Sequence, residues 1–455
     1  VNIIKNLLLS FWVFLSGTHC LADPIEEFYK FEHEDVAGPR GSVVSFERLN
    51  SSPGASVGYR FLYRTEIADG VPTIASAVAW FPTTVADSAV PLKTTIFLRS
   101  TVGIAPHCAA SRPNSNSVSS YVPNLRAFLK AGHAVLVPDL IGIGAHENGF
   151  EKEIVHSYLQ KEPTANAVID AHRALKNLPK EILHDDVLVG KEVAFIGHSQ
   201  GAYSVLSSLA KIHETKTPGV EVVAAIISAQ PGRLDRLVPL QRTQSGLMLS
   251  AYLAASFSKF HPELYFKDWL ADEFSAIVHE IAGKCLSIPA EAAQIATLIA
   301  SSFDNEDFGD TDGKHLRSAD LPDDWEVAFQ KNVPTFKSGE KLEKPYPIII
   351  SQGGSDPIVP WRATRDDVLS PLCEALSNNG TFVFYPFAGH NGQFQISAVT
   401  LANHLLEILG GQSNRELPRM DLPPPPLDPS EHFSYLTNLE RFSFREPCEL
   451  FEYSH

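Results

Sequence analysis

The sequence predicts an α/β fold: a mostly parallel sheet with helices on both faces and a helical segment inserted between two strands. Three observations predict it. Short apolar runs recur along the chain, several of them continuous rather than alternating, as in strands buried on both faces. Between the later runs lie stretches of about 10–15 residues with apolar positions at helical spacing. Between about 233 and 344 this alternation stops, and helical patterns rich in Leu, Ala and Phe take over.

Taken in order, residues 1–22 read as an export signal. Lys5 supplies the positive end, "NLLLSFWVFLSG" the apolar stretch, and Cys20 and Ala22 the small residues before a cleavage point. The first part of the core is expected over 23–232. Its strands are "GYRFLYRTE", "IASAVAWFP", "TTIFLRS", "HAVLVPDL", "EVAFIGHS" and "EVVAAIISA"; its helices include "YVPNLRAFLKAG" and "TANAVIDAHRALKNL". A helical cap is expected over 233–344, with "PAEAAQIATLIASSF" as one helix. Its acidic run "DNEDFGDTDGKH" lacks EF-hand spacing and reads as a solvated loop. The second part of the core, 345–410, holds the strands "YPIIISQGG" and "TFVFYPFAG" and the helix "ISAVTLANHLLEILG". From 411 to 455 a proline-rich link, "LPRMDLPPPPLDPSEHF", leads to an aromatic segment expected to pack back as a flap. No segment after the leader is long and apolar enough to cross a membrane.

Composition narrows the function classes. The 455 residues, 44% hydrophobic and 20% charged, suit a globular chain with a large core, longer than one compact unit. A net charge of −16 argues against nucleic acid, whose phosphates call for clustered Lys and Arg, and leaves small-molecule or lipid substrates open. Cys108, Cys285, Cys373 and Cys448 form no CxxC and no Cys/His cluster, which argues against zinc. In an oxidising compartment four cysteines form up to two disulfides, and spacing does not rank the three pairings. Asn50 and Asn379 begin N-x-[ST] sequons.

The chemistry centres on "GHSQG", residues 197–201, between an apolar strand and a small-residue helix. In G-x-S-x-G the serine stands on a strained strand-to-helix turn, where a Cβ at either glycine would strike neighbouring backbone. The turn lifts the Ser199 hydroxyl out of the sheet, at a helix N-terminus whose N–H groups favour developing negative charge. A serine needs a base, and the base needs an acid to hold its tautomer. Asp356 follows "PYPIIIS" and His390 follows "TFVFYPFAG", both just past a strand, giving the order Ser199, Asp356, His390. Asp235, after the preceding strand, is the reserve acid. His198 neighbours the nucleophile but points away by strand alternation and reads as structural; His107 and His146 lie in other core loops, and His404 lies on a helix. The oxyanion hole is expected from the backbone of Gln200 and from the loop "RSTVGIAPHCAAS", through Ser100 and Thr101.

With these pieces in place the chain resembles the secretory-lipase family of α/β-hydrolases, fungal and bacterial. The resemblance runs from about 58 to 410 and rests on "RFLYRTEIADGVPTIASAVAWFP", "STVGIAPHCAAS", "AGHAVLVPDLIGIGAH", "SYLQKEPTANAVIDAHRAL", "GHSQG", "SQGGSDPIVP" and "AGHNG". It implies an α/β-hydrolase fold with a helical cap over the site and secreted hydrolysis of carboxylic esters, often acylglycerols. Relatives commonly carry His-Gly-Thr where this chain has Arg99, Ser100 and Thr101, and Cys-Ala-Pro-Ser where it has Cys108, Ala109, Ala110 and Ser111. Arg99 then either biases the site toward acyl groups with polar or acidic ends or makes a structural ion pair. The expected chemistry needs neither a metal nor an organic cofactor. Its partner is a small-molecule or lipid ester, with transient lipid-interface contact through the cap, and the oligomeric state is open. The same machinery serves thioesterases, acyltransferases and proline-directed peptidases. A non-catalytic binding protein of this fold would be expected to lack one of the three side chains.

Overall fold

The computed structural model describes residues 24–409, apart from internal stretches of which the longest are 84–89, 113–121, 180–186, 303–314, 362–370 and 393–401, together with a strand at 440–443. The leader, Cys373, Cys448, Asn379, His404, most of "ISAVTLANHLLEILG", nearly all of the acidic run and the remainder of 411–455 lie outside the described residues.

Twelve strands occur among the described residues. They are β1 (Lys30–Phe31), β2 (Val43–Arg48), β3 (Ser56–Glu66), β4 (Pro72–Pro82), β5 (Leu92–Leu98), β6 (Ala134–Pro138), β7 (His146–Glu147), β8 (Val189–His198), β9 (Glu221–Ser228), β10 (Ile348–Gly353), β11 (Gly380–Tyr385) and β12 (Glu440–Ser443). Ten of them form one sheet in the order β12-β11-β10-β9-β8-β5-β6-β4-β3-β2. From β11 to β6 the neighbours run parallel. At one edge β4, β3 and β2 continue as an antiparallel meander, and at the other β12 joins antiparallel to β11.

The apolar runs make strands because they are covered on both faces. Successive residues of β5, β8, β9 and β10 send side chains to opposite layers: Ile96, Phe195, Ile227 and Ile350 to one, Phe97, Ile196, Ile226 and Ile349 to the other. The first layer is closed by Val168, Ala171 and Leu175 of helix Lys161–Lys176 and by Val205, Leu206 and Leu209 of helix Gln200–Thr215. The second is closed by Leu125 and Phe128 of helix Val122–Lys130, with Leu405. Each large side chain buried this way contributes about 1.5–3 kcal/mol.

Between β9 and β10 the chain builds a third apolar cluster of its own. Helix Gln244–Phe260 starts where the Thr243 hydroxyl accepts from the Gly246 N–H at 3.1 Å, and it supplies Leu247, Tyr252 and Phe257. Helices Pro289–Ser302 and Asp323–Lys331 add Ile295, Ile299, Trp325 and Phe329. Ile104, Tyr158, Leu159 and Tyr203 enter the same cluster from the sheet side, so this helical layer is seated on the carboxyl ends of the central strands. A disulfide between Cys108 and Cys285 joins the loop after β5 to the helical layer, and Leu286 N–H donates to the Val102 carbonyl beside it at 2.8 Å.

Candidate active site

The chain leaves β5 toward β6 on one side and returns to β8 on the other, so a crevice opens where β5 and β8 end side by side. Ser199 stands there. Its backbone, at φ 55° and ψ −120°, turns from β8 directly into helix Gln200–Thr215, a conformation that costs a non-glycine residue on the order of 1–3 kcal/mol. The flanking glycines permit it. A Cβ on Gly197 would strike the Gly201 carbonyl, and one on Gly201 would strike the Leu98 carbonyl at the end of β5. The turn is pinned by Ser199 N–H donating to Ser228 O at 2.9 Å and Tyr203 N–H donating to Ser199 O at 3.0 Å.

The structure brings Ser199, His390 and Asp356 together. His390 Nδ1 lies 2.8 Å from Asp356 Oδ2, and His390 Nε2 lies 2.9 Å from Ser199 Oγ. A carboxylate only accepts, so Nδ1 carries the imidazole proton and Nε2 is left to accept from the serine hydroxyl. Asp356 Oδ1 accepts from the N–H groups of Ile358 and Val359 at 2.9 and 2.8 Å, which fixes the carboxylate in its loop. Gln352 shapes the same loop by donating to Val359 O at 2.9 Å. All three side chains are nearly enclosed, at 6%, 8% and 5% exposure for Ser199, His390 and Asp356, so a reactant reaches them only through a pocket.

That pocket opens against Ser199. Leu159, Pro231, Ile358 and Val359 form its sheet side, and Leu234, Leu237, Val238, Leu249 and Leu253 its helical side. These walls are largely aliphatic, with Tyr158, Gln241 and Ser250 adding polar atoms.

Gln200 is the first residue of its helix, where a backbone N–H has no intrahelical partner. Ser100 and Thr101 follow β5 directly, at the neighbouring strand end, and Thr101 Oγ1 lies 2.8 Å from the Tyr158 hydroxyl. Arg99 is buried, and its charge works against the rise that burial causes in the pKa of Asp139. Asp139 itself accepts from Ala110 N–H at 2.7 Å and Ser76 Oγ at 2.7 Å.

The other candidates lie elsewhere or serve differently. Asp235 is held by Arg233, whose Nε donates to its Oδ1 at 3.0 Å. His146 lies within 3.0 Å of the Gly144 carbonyl through Nδ1, and His107 faces Glu291 at 3.1 Å. His107, Cys108 and Cys285 form a His/Cys grouping, but both sulfurs are spent in the disulfide. His198 is buried and structural as expected, with a function attached: its Nε2 donates to the His390 carbonyl at 2.9 Å. His156 was missed. It donates from Nδ1 to Ile141 O at 2.6 Å and accepts at Nε2 from the Gln200 amide at 2.9 Å. No motif surrounds it among the seventeen histidines of the chain, so only its neighbours in space mark it out.

A parallel sheet of this order with a serine on a strained turn after β8 defines a class, and residues 107–398 match the model of the alpha/beta hydrolase family. The chain belongs to that family. A sequence comparison with curated proteins finds no match. Among solved structures it is similar to Candida antarctica lipase A in its closed state, with a TM-score of 0.61 and 18% identity over 86% of each chain. It is also similar to the rice cell wall degrading esterase LipA from Xanthomonas oryzae, with a TM-score of 0.59 and 16% identity over 82% of this chain and 97% of that one. Likeness at these identities speaks for the fold.

Proposed function

We propose that this protein is an exported carboxylic-ester hydrolase, a lipase or esterase, working through Ser199, His390 and Asp356. The observation that carries the reading is the unbroken run from Ser199 Oγ to His390 at 2.9 Å and on to Asp356 at 2.8 Å, beside an aliphatic pocket.

In this reading His390 Nε2 takes the hydroxyl proton as Ser199 Oγ attacks the ester carbonyl carbon, and Asp356 stabilises the imidazolium. Charge on the carbonyl oxygen is met by the Gln200 N–H and by the loop at Ser100 and Thr101. The imidazolium then gives its proton to the alcohol oxygen, the ester C–O bond breaks, and the acyl group stays on Ser199. Water, deprotonated by His390, attacks the acyl carbon; the carboxylic acid departs and Ser199 recovers its proton.

The largely aliphatic walls suit an acyl or alcohol chain, and the two structural neighbours named above are a lipase and an esterase. Two features support export: the Lys5-led apolar leader and the Cys108–Cys285 disulfide, a cross-link that persists in oxidising compartments.

The test is labelling with a fluorophosphonate probe, followed by a panel of p-nitrophenyl esters against peptide arylamides. Wild type is expected to label and to cleave esters, and Ser199→Ala to do neither. An unlabelled wild type, or arylamide cleavage exceeding ester cleavage, overturns the reading.

A further inference from the structure

The proposed reaction makes no use of one buried segment, residues 156–160, which precedes helix Lys161–Lys176. Its residues hand polar groups to separate parts of the site. His156 receives the Gln200 amide at 2.9 Å. The Tyr158 hydroxyl lies 2.8 Å from Thr101 Oγ1. Leu159 O accepts from Tyr203 Oη, on the nucleophile's own helix, at 2.8 Å. Ser256 of the long cap helix ties the segment from the other side: it donates to His156 O at 2.7 Å and accepts from Tyr158 N–H at 2.8 Å and from the Gln160 amide at 3.2 Å. Leu159 sits at φ 50°, a conformation a bulky residue keeps only when its surroundings over-determine it.

Gln200 and the loop at Ser100 and Thr101 are expected to bring N–H groups to the oxyanion. Gln200 N–H is aimed by its helix, but Thr101 belongs to a loop, so its aim depends on what holds its side chain. The geometry points to Tyr158 as a positioning residue that fixes Thr101 for the oxyanion. The inference rests on the ester hydrolysis proposed above. Tyr158 is itself held edge-on to Tyr252, with ring centroids 6.0 Å apart, so its hydroxyl is a rigid post. Burial holds that hydroxyl above its ordinary pKa, so it keeps its proton at working pH. Donors that act on the transition state accelerate the chemical step without tightening ground-state binding.

The experiment is steady-state kinetics on p-nitrophenyl butyrate. Tyr158→Phe keeps the ring and loses the hydroxyl; kcat is expected to fall about tenfold with KM within about twofold, the size of one lost hydrogen bond. Thr101→Val is expected to give the same fall, the double variant no further fall, and Thr101→Ser near wild-type kcat. An unchanged kcat in Tyr158→Phe, or a double variant that falls by the product of the two singles, overturns the inference. Ser199→Ala measured alongside separates the two claims. Turnover surviving in Ser199→Ala overturns the reaction itself, whereas a dead Ser199→Ala beside an unaltered Tyr158→Phe overturns the positioning alone.

Discussion

His198 Nε2 donates to the backbone carbonyl of His390 across 2.9 Å, so the residue before Ser199 holds the loop of His390. The two rings lie 5.0 Å apart at their centroids. Burial pushes the His198 pKa down to about 3, with the neighbouring His390 adding to the effect, so His198 is neutral at working pH and its donating tautomer persists. His198→Phe removes the donor and leaves a buried carbonyl unpaired; ester kcat is expected to fall about tenfold. His198→Gln, which offers an amide N–H at similar reach, should recover most of it. Equal kinetics for the Phe and Gln variants would remove the hydrogen bond from the account.

Asp356 and Asp235 are distinguished by their partners. Asp356→Asn keeps an acceptor for the N–H groups of Ile358 and Val359, so folding should survive. The imidazole would then lose its tautomer control, and kcat should drop by about 10³–10⁴. Asp235 faces Arg233, and Asp235→Asn should leave kcat within about threefold, since it removes only a partly buried ion pair. A larger loss in Asp235→Asn than in Asp356→Asn would reverse the assignment.

Stability should fall on mild acidification. Burial pushes His133 and His156 down to about 4 and His172 and His198 down to about 3, whereas unfolded histidine titrates near about 6.5. Between those values the unfolded chain binds protons that the folded chain refuses, so stability drops as pH falls from about 6.5 toward about 4. Each proton contributes roughly 1.4 kcal/mol per pH unit. Asp139, raised by burial, opposes this, but as one group against four histidines. Urea unfolding at several pH values between about 7 and 4.5 reads the slope; a flat midpoint would contradict it.

The glycines of the turn should not tolerate a methyl group. In Gly201→Ala the new Cβ meets the Leu98 carbonyl, backbone that cannot yield, and a cost at or above the usual overpacking range of about 1–3 kcal/mol is expected. A Cβ on Gly392, two residues past His390, meets open space, and Gly392→Ala should leave the melting temperature unchanged or slightly raised. Comparable melting temperatures for the two variants would mean that the turn has another way to relax.

The Cys108–Cys285 bond closes a separation of 177 residues between the loop after β5 and the helical layer. Cys285→Ser is expected to cost about 2–5 kcal/mol, and reductant to lower the stability of the wild type but not of the variant. Calorimetry with and without dithiothreitol checks this, and identical transitions would exclude a contribution from the cross-link.

Strand runs were legible because strands buried on both faces must be written in Val, Ile, Leu and Ala. The run "EVVAAIISA" became β9 almost residue for residue, and "EVAFIGHS" lies in β8, which starts three residues earlier at Val189 and ends before Ser199. β2 was missed because its residues are only partly buried, which leaves a weak alternation, and β1 and β7 are pairs too short to carry any period.

What the sequence by itself determined is what local physics encodes: the strand and helix periods, the strained turn that needs Gly197 and Gly201, and the order Ser199, Asp356, His390. Tertiary structure alone decided who faces whom. That Cys108 pairs with Cys285, that Ser76 meets Asp139, that His156 holds Gln200 and Tyr158 meets Thr101 are contacts between residues far apart in the chain. Hydrogen bonds and ion pairs of that kind leave no periodicity behind, because each depends on two segments meeting only after the sheet and its helices have packed.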